Sequence, residues 1–180
     1  EALTRFSPAS TTAGSNTRKR QKTRKMKNPN IMINNQQAKK KIHPEEIEQK
    51  TERILSALGY EGCEISLLFT DDDGIRALNS TYRGLDKPTN VLSFSMLEGE
   101  LETPFTEMLG DVVISVETAE TEALEAGIHT EERLSQLLVH GILHLAGFDH
   151  ELTESAFQEM EDKSRELLRL IETNPDLDAF

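Results

Sequence analysis

The chain has 180 residues, of which 36% are apolar and 29% charged, a mix sufficient for one domain with a real core. No apolar run approaches the length of about 18 residues that a membrane span needs, and no secretory leader is visible. Cys63 is the only cysteine, which excludes an internal disulfide and fits a reducing, cytoplasmic setting.

Charge is unevenly placed. Residues 1–27 hold eight Lys/Arg and one Glu, so +7. Residues 28–180 hold twelve Lys/Arg and thirty-one Asp/Glu, so −19. The first stretch is rich in Ser, Thr, Lys and Arg and is expected to be a disordered basic tail, able to touch RNA or acidic lipid. The rest, 28–180, is expected to form the folded domain. Its acidity repels nucleic acid at long range.

Ile31-Met32-Ile33 predicts a first strand. Pro44 suits the first turn of a helix. Ile47, Ile54, Leu55 and Leu58 share one face of it, and Gly59 supplies its stop. Ile65–Phe69 reads as a strand. Asp71 is a helix cap for a segment running to about Thr81, with Ile75 and Leu78 facing inward. Asp71-Asp72-Asp73-Gly74 lacks the alternate acids and distal Glu of a calcium loop. Tyr82–Asn90 looks like a loop, with Gly84, Asp86 and Pro88. Val91–Met96 is a third strand, 97–108 is polar and irregular, and Leu109–Ser115 is a fourth strand. Helices are expected at about 117–126, 130–146 and 153–171. Strands early and helices late predict an α+β domain: a small mixed four-stranded sheet packed with about five helices.

The segment His140-Gly-Ile-Leu-His144-Leu-Ala-Gly147-Phe-Asp149-His150 is the chemically informative one. His140 and His144 fall one turn apart on one helical face. Leu134, Leu137, Leu138, Ile142 and Leu145 bury that helix. Gly147 ends it in left-handed geometry, and the reversal returns His150 toward the pair. Three imidazoles with one open position is the pattern of catalytic zinc, one ion per chain, on a buried helix and the turn after it. Such a site lowers the pKa of a bound water toward about 7. The spacing equals H-x-x-x-H-x-x-G-x-x-H of metzincin peptidases, but the Glu that follows their first His is here Gly141. Without that base a zinc metallopeptidase is the weaker reading. His43 and His129 fall at helix entrances, where surface roles are the default. Met160 is expected in the core, and Cys63 as a small packed side chain.

Three segments resemble the YbeY family of bacterial rRNA maturation endoribonucleases: His140–His150; Asn79-Ser-Thr-Tyr82-Arg83-Gly-Leu-Asp86-Lys87-Pro88-Thr89-Asn90-Val91-Leu92-Ser93-Phe94; and Leu109-Gly-Asp111-Val-Val-Ile-Ser115. The likeness covers about residues 31–171 and excludes the basic tail. Ser95 departs from it, since the family often has Pro there. The resemblance implies a zinc-dependent, single-strand-specific endoribonuclease that matures the 3′ end of small-subunit (16S) rRNA and serves ribosome quality control. It implies rRNA and the small ribosomal subunit as partners, with ribosomal proteins or an assembly GTPase as further ones, and no membrane. Arg83 matches the family's functional arginine, and a guanidinium beside zinc suits the charge that builds in phosphodiester cleavage. Lys87 and Ser93 are candidate substrate contacts, and Asp111 a structural or supporting position. A non-catalytic assembly factor with structural zinc is the third reading.

Overall fold

The computed structural model describes residues 30–96, 108–148 and 153–179. The expected basic tail, most of the irregular 97–108 stretch, Asp149 and His150 lie outside them.

The described residues form the expected α+β domain, a four-stranded mixed sheet with five helices. In chain order these are β1 (Ile31–Asn35), α1 (Pro44–Leu58), β2 (Glu64–Thr70), α2 (Asp72–Arg83), β3 (Val91–Ser95), β4 (Met108–Ser115), α3 (Val116–Ala126), α4 (Thr130–Leu145) and α5 (Glu154–Ile171). The sheet order is β1-β2-β4-β3. β1, β2 and β4 run parallel, and β3 closes one edge antiparallel to β4.

Side-chain alternation sends successive residues to opposite faces. Leu67, Phe69, Val112 and Ile114 face the main core with α1, α4 and α5. Leu92 and Val113 point the other way, onto Ile75 of α2. So α4 and α2 lie on opposite sides of the edge strand β3. Met160 is 3% exposed and belongs to the main core, as expected. Cys63 is half-buried against that core.

The caps follow the sequence. The Asp71 carboxylate accepts from Gly74 N, so the acidic run starts a helix. Gly59, at φ 78°, closes α1 in the left-handed form that glycine adopts without a Cβ penalty. One boundary differs from expectation. α2 continues two residues past Thr81, through Tyr82 and Arg83, because the left-handed residue that stops it is Gly84. Arg83 therefore sits in the last helical turn rather than in a loop, where the negative end of the helix dipole favours a cation.

A buried ion network ties the helices together. Lys50 Nζ donates to Glu172 Oε1 at 2.7 Å and to Ser135 Oγ at 3.1 Å, and pairs with Glu46 at 3.1 Å. Burial pushes its pKa down, but Glu172 and Glu46 outweigh that and hold it above the ordinary lysine value. Lys50→Ala is expected to cost about 3 kcal/mol in urea unfolding, because it strands a mostly buried carboxylate. A raised lysine pKa stabilises fully below the unfolded value of 10.5. The difference between wild type and variant should thus hold through neutral pH and shrink only as pH rises through the folded value. A loss that instead vanished near pH 7 would show that the network does not hold α1 to Glu172.

Candidate functional site

Helix α4 is buried almost all round. From Leu134 to Leu145 every residue is buried except His140 and His144, which are half-exposed. Their Nε2 atoms converge to 3.1 Å, with ring centroids 4.6 Å apart and planes at 74°. Two imidazoles on one tetrahedral zinc, each nitrogen about 2.0–2.1 Å from it, would stand about 3.3 Å apart. The pair therefore fits a shared cation with almost no adjustment. Among the described residues no third His, Cys, Asp or Glu completes a cage around them. The third expected donor, His150, lies outside the described residues.

The turn that should redirect the chain is formed. Gly147 has φ 88°. Its N–H donates to His144 O at 3.1 Å, and Phe148 N donates to Leu143 O at 3.0 Å. These two bonds make the Schellman closure that turns a chain back at a helix end.

Gly141 has a reason that its position in the motif does not reveal. A Cβ there would lie 2.6 Å from Val112 Cγ1 and 3.2 Å from Ser93 Oγ. The residue after the first His thus faces the sheet, not the imidazole pair. A glutamate base at this position is sterically excluded. A glycine in mid-helix costs about 1 kcal/mol relative to alanine, and that cost was the sequence signal of a close approach.

The edge strand fastens α4. Ser93 Oγ donates to Gly141 O at 3.1 Å, and Ser95 Oγ to Leu145 O at 3.3 Å. Two strand residues advance about 6.6 Å and four helical residues about 6.0 Å, so the two elements match in pitch. Ser93, expected to line a cleft, has its proton engaged by α4. Ser95, the departure from the family pattern, adds the second of these bonds.

On the opposite side of β3, the end of α2 carries the other expected residues. Tyr82 packs edge-on against Phe94, centroids 5.0 Å apart. Arg83 and Lys87 are exposed. Asn79 is buried, and its Nδ2 donates to Lys87 O at 2.8 Å, pinning the loop to α2. Arg76 grips Asp86 through two bonds, at 2.7 and 3.0 Å. That guanidinium holds the Asp86 carboxyl below the usual carboxylate range. The structure therefore groups His140 with His144 on one side of β3, and Arg83 with Lys87 on the other. Asp111 is half-exposed on the α2 side, as the cross-strand partner of Phe94. His43 and His129 are exposed at the starts of α1 and α4. Sequence reasoning passed over Asn79, Ser95 and the fit of Gly141 against Val112.

The family described as Endoribonuclease YbeY matches residues 32–172. An Endoribonuclease YbeY of Geobacter metallireducens is 46% identical over 143 residues, covering 79% of this chain and 95% of that protein. Another, of Aquifex aeolicus, is 50% identical over 127 residues, covering 69% and 83%. A protein of Thermotoga maritima solved in solution superposes with a TM-score of 0.56 at 26% identity, covering 78% of this chain and 88% of that one. With most of its length matched by one family and nearly half of its aligned residues shared with that family's members, this chain belongs to the YbeY endoribonuclease family.

Proposed function

We propose that the chain is a metal-dependent endoribonuclease that cuts single-stranded RNA in the 3′-end maturation of small-subunit rRNA and in ribosome quality control. The carrying observation is the convergence of two imidazole nitrogens to 3.1 Å on the half-exposed positions of an otherwise buried helix. Family membership supplies the nucleic-acid substrate, since the relatives bear the name endoribonuclease.

In this reading His140, His144 and His150 hold one zinc ion. When bound, the ion supplies Lewis acidity toward a phosphoryl oxygen and lowers the pKa of a water molecule. The chain's own groups do the rest. Arg83 presents a planar fork of donors that can take two phosphate oxygens at once; because β3 is the edge strand, RNA laid across that edge reaches both sides, and Arg83 then stabilises the charge that grows as the phosphodiester breaks. Lys87 adds a second cation beside the substrate backbone. Ser93 acts on substrate through its oxygen, while its proton holds α4.

The −19 of residues 28–180 opposes long-range capture of RNA. Local cations and delivery on the small subunit, with ribosomal proteins or an assembly GTPase, overcome that opposition. The site of action is accordingly the cytoplasm, and among the described residues no helix is long and apolar enough to cross a membrane.

The test is cleavage of an rRNA precursor with an extended 3′ end, with and without chelator, alongside metal analysis. Zinc near one equivalent and cleavage lost on chelation are expected. Arg83→Ala should lower cleavage by about 10²-fold or more at unchanged metal content, the usual loss for one charge-stabilising group. Chelator-resistant cleavage would sink the metal role. Unaltered cleavage by the Arg83 variant would sink the role of the guanidinium.

A further inference from the structure

Seven large apolar side chains are exposed among the described residues; two of them lie at the end of α2 and a third directly follows β3. Tyr82 is 66% exposed, Leu85 41% and Met96 52%. Tyr82 ends α2, Leu85 follows its cap, and Met96 is one alternation step beyond Phe94 on the same side of β3. The Tyr82 ring is not loose. Its contact with Phe94, at 5.0 Å and 61°, holds it edge to face while leaving most of its surface open to solvent. Phe94 in turn packs on the cluster of Ile75, Leu92 and Val113.

The same spot carries cations. Arg83 is the next residue, and Lys87 is held by its carbonyl to Asn79, one turn earlier on the helix. Neither Arg83 nor Lys87 forms an ion pair with another described residue, in a chain with 32 acidic side chains. Arg76, also nearby, is instead neutralised by Asp86. Asp111, the cross-strand partner of Phe94, bounds the patch with negative charge.

A fixed, exposed aromatic ring next to two exposed cations suits one class of ligand. Single-stranded nucleic acid offers a flat base to stack and a phosphate to neutralise at each nucleotide. An apolar protein partner would leave the two cations unanswered, and a duplex would keep its bases out of reach. We infer that Tyr82 is a base-stacking platform that holds one unpaired nucleobase of the RNA, with the adjoining phosphates on Arg83 and Lys87. The inference rests on the RNA reading above and adds a positioning residue to it. Stacked there, the base anchors the strand along the side of β3 that bears Arg83.

The test exploits the absence of tryptophan from this chain. Tyr82→Trp places a single indole on the platform. With chelator present to stop cleavage, a short oligoadenylate should quench its fluorescence saturably. An abasic oligonucleotide of equal length, which offers phosphates without bases, should leave it unchanged. Tyr82→Ala should weaken oligoadenylate binding about 10-fold and raise KM while kcat at saturation holds, and Tyr82→Phe should restore both. The salt dependence of binding should be kept in Tyr82→Ala but fall by about 0.7 in log–log slope in Lys87→Ala. Equal quenching by the abasic strand, or Tyr82→Ala binding as tightly as wild type, would overturn the platform. Cleavage without indole quenching refutes the platform alone. Quenching by a protein that cuts no RNA refutes the enzymatic reading and leaves the platform standing.

Discussion

His140→Ala is expected to abolish RNA cleavage and to release the metal, with folding nearly untouched. The side chain stands at one of the two half-exposed positions of α4 between Leu134 and Leu145, so its removal opens no hole in the main core. Alanine is also the better helix former. What disappears is one of two nitrogens 3.1 Å apart. A lone imidazole plus one more donor is a poor cage for zinc, which is held by three or four protein ligands in stable sites. Metal content by emission spectroscopy should fall well below one equivalent, cleavage should drop to background, and the melting temperature without metal should match that of metal-free wild type. A variant that lost its metal yet still cut RNA would remove the cation from the chemistry. One that kept its metal would show that His140 is not a ligand.

Gly141→Glu is expected to fail to fold, although it would recreate the peptidase motif. The new Cβ alone would come within 2.6 Å of Val112 Cγ1, on a central strand packed from both sides. Overpacking of this kind costs about 1–3 kcal/mol, and taking an unpaired carboxylate into the layer adds several more. The total rivals the whole stability of a domain this size. Gly141→Ala isolates the first part, and its loss is partly offset by about 1 kcal/mol of helix propensity. It should be rescued by Val112→Ala, which makes the space. Urea unfolding of the four proteins reads both effects. A soluble Gly141→Glu protein that hydrolysed peptides would reverse the assignment of this position.

Much of this was legible beforehand because it depends on local chemistry. The Val and Ile content of Leu109–Ser115, the apolar face of Ile47, Ile54 and Leu55, and the glycine stops each fix one element without reference to the others. Histidines one turn apart must share a face, and they do. What escaped depends on which elements meet. Tyr82 and Arg83 looked like loop because Pro88 and Asp86 follow closely, yet a helix persists until a residue can take left-handed geometry, and that residue is Gly84. Ser93 reads as a candidate substrate contact and Ser95 as a departure from the family pattern, since nothing in their own neighbourhood names α4 as their partner. Nothing around Lys50 in the sequence names its partner Glu172, 122 positions away. The Tyr82 contact is likewise non-local, since it exists only because the end of α2 lies over β3.

The two serine bonds grip the carbonyls of Gly141 and Leu145, the residues that immediately follow His140 and His144. Each imidazole is thus rooted beside a clamped peptide group, and the strand cannot slip by one residue without replacing one hydroxyl by the Phe94 ring and the other by Leu92 or Met96. The clamps thereby hold the backbone on which the 3.1 Å gap between the nitrogens depends. On the proposed zinc reading, metal capture has little backbone left to freeze, and loosening either clamp should be felt as faster metal escape well before it is felt as lost fold.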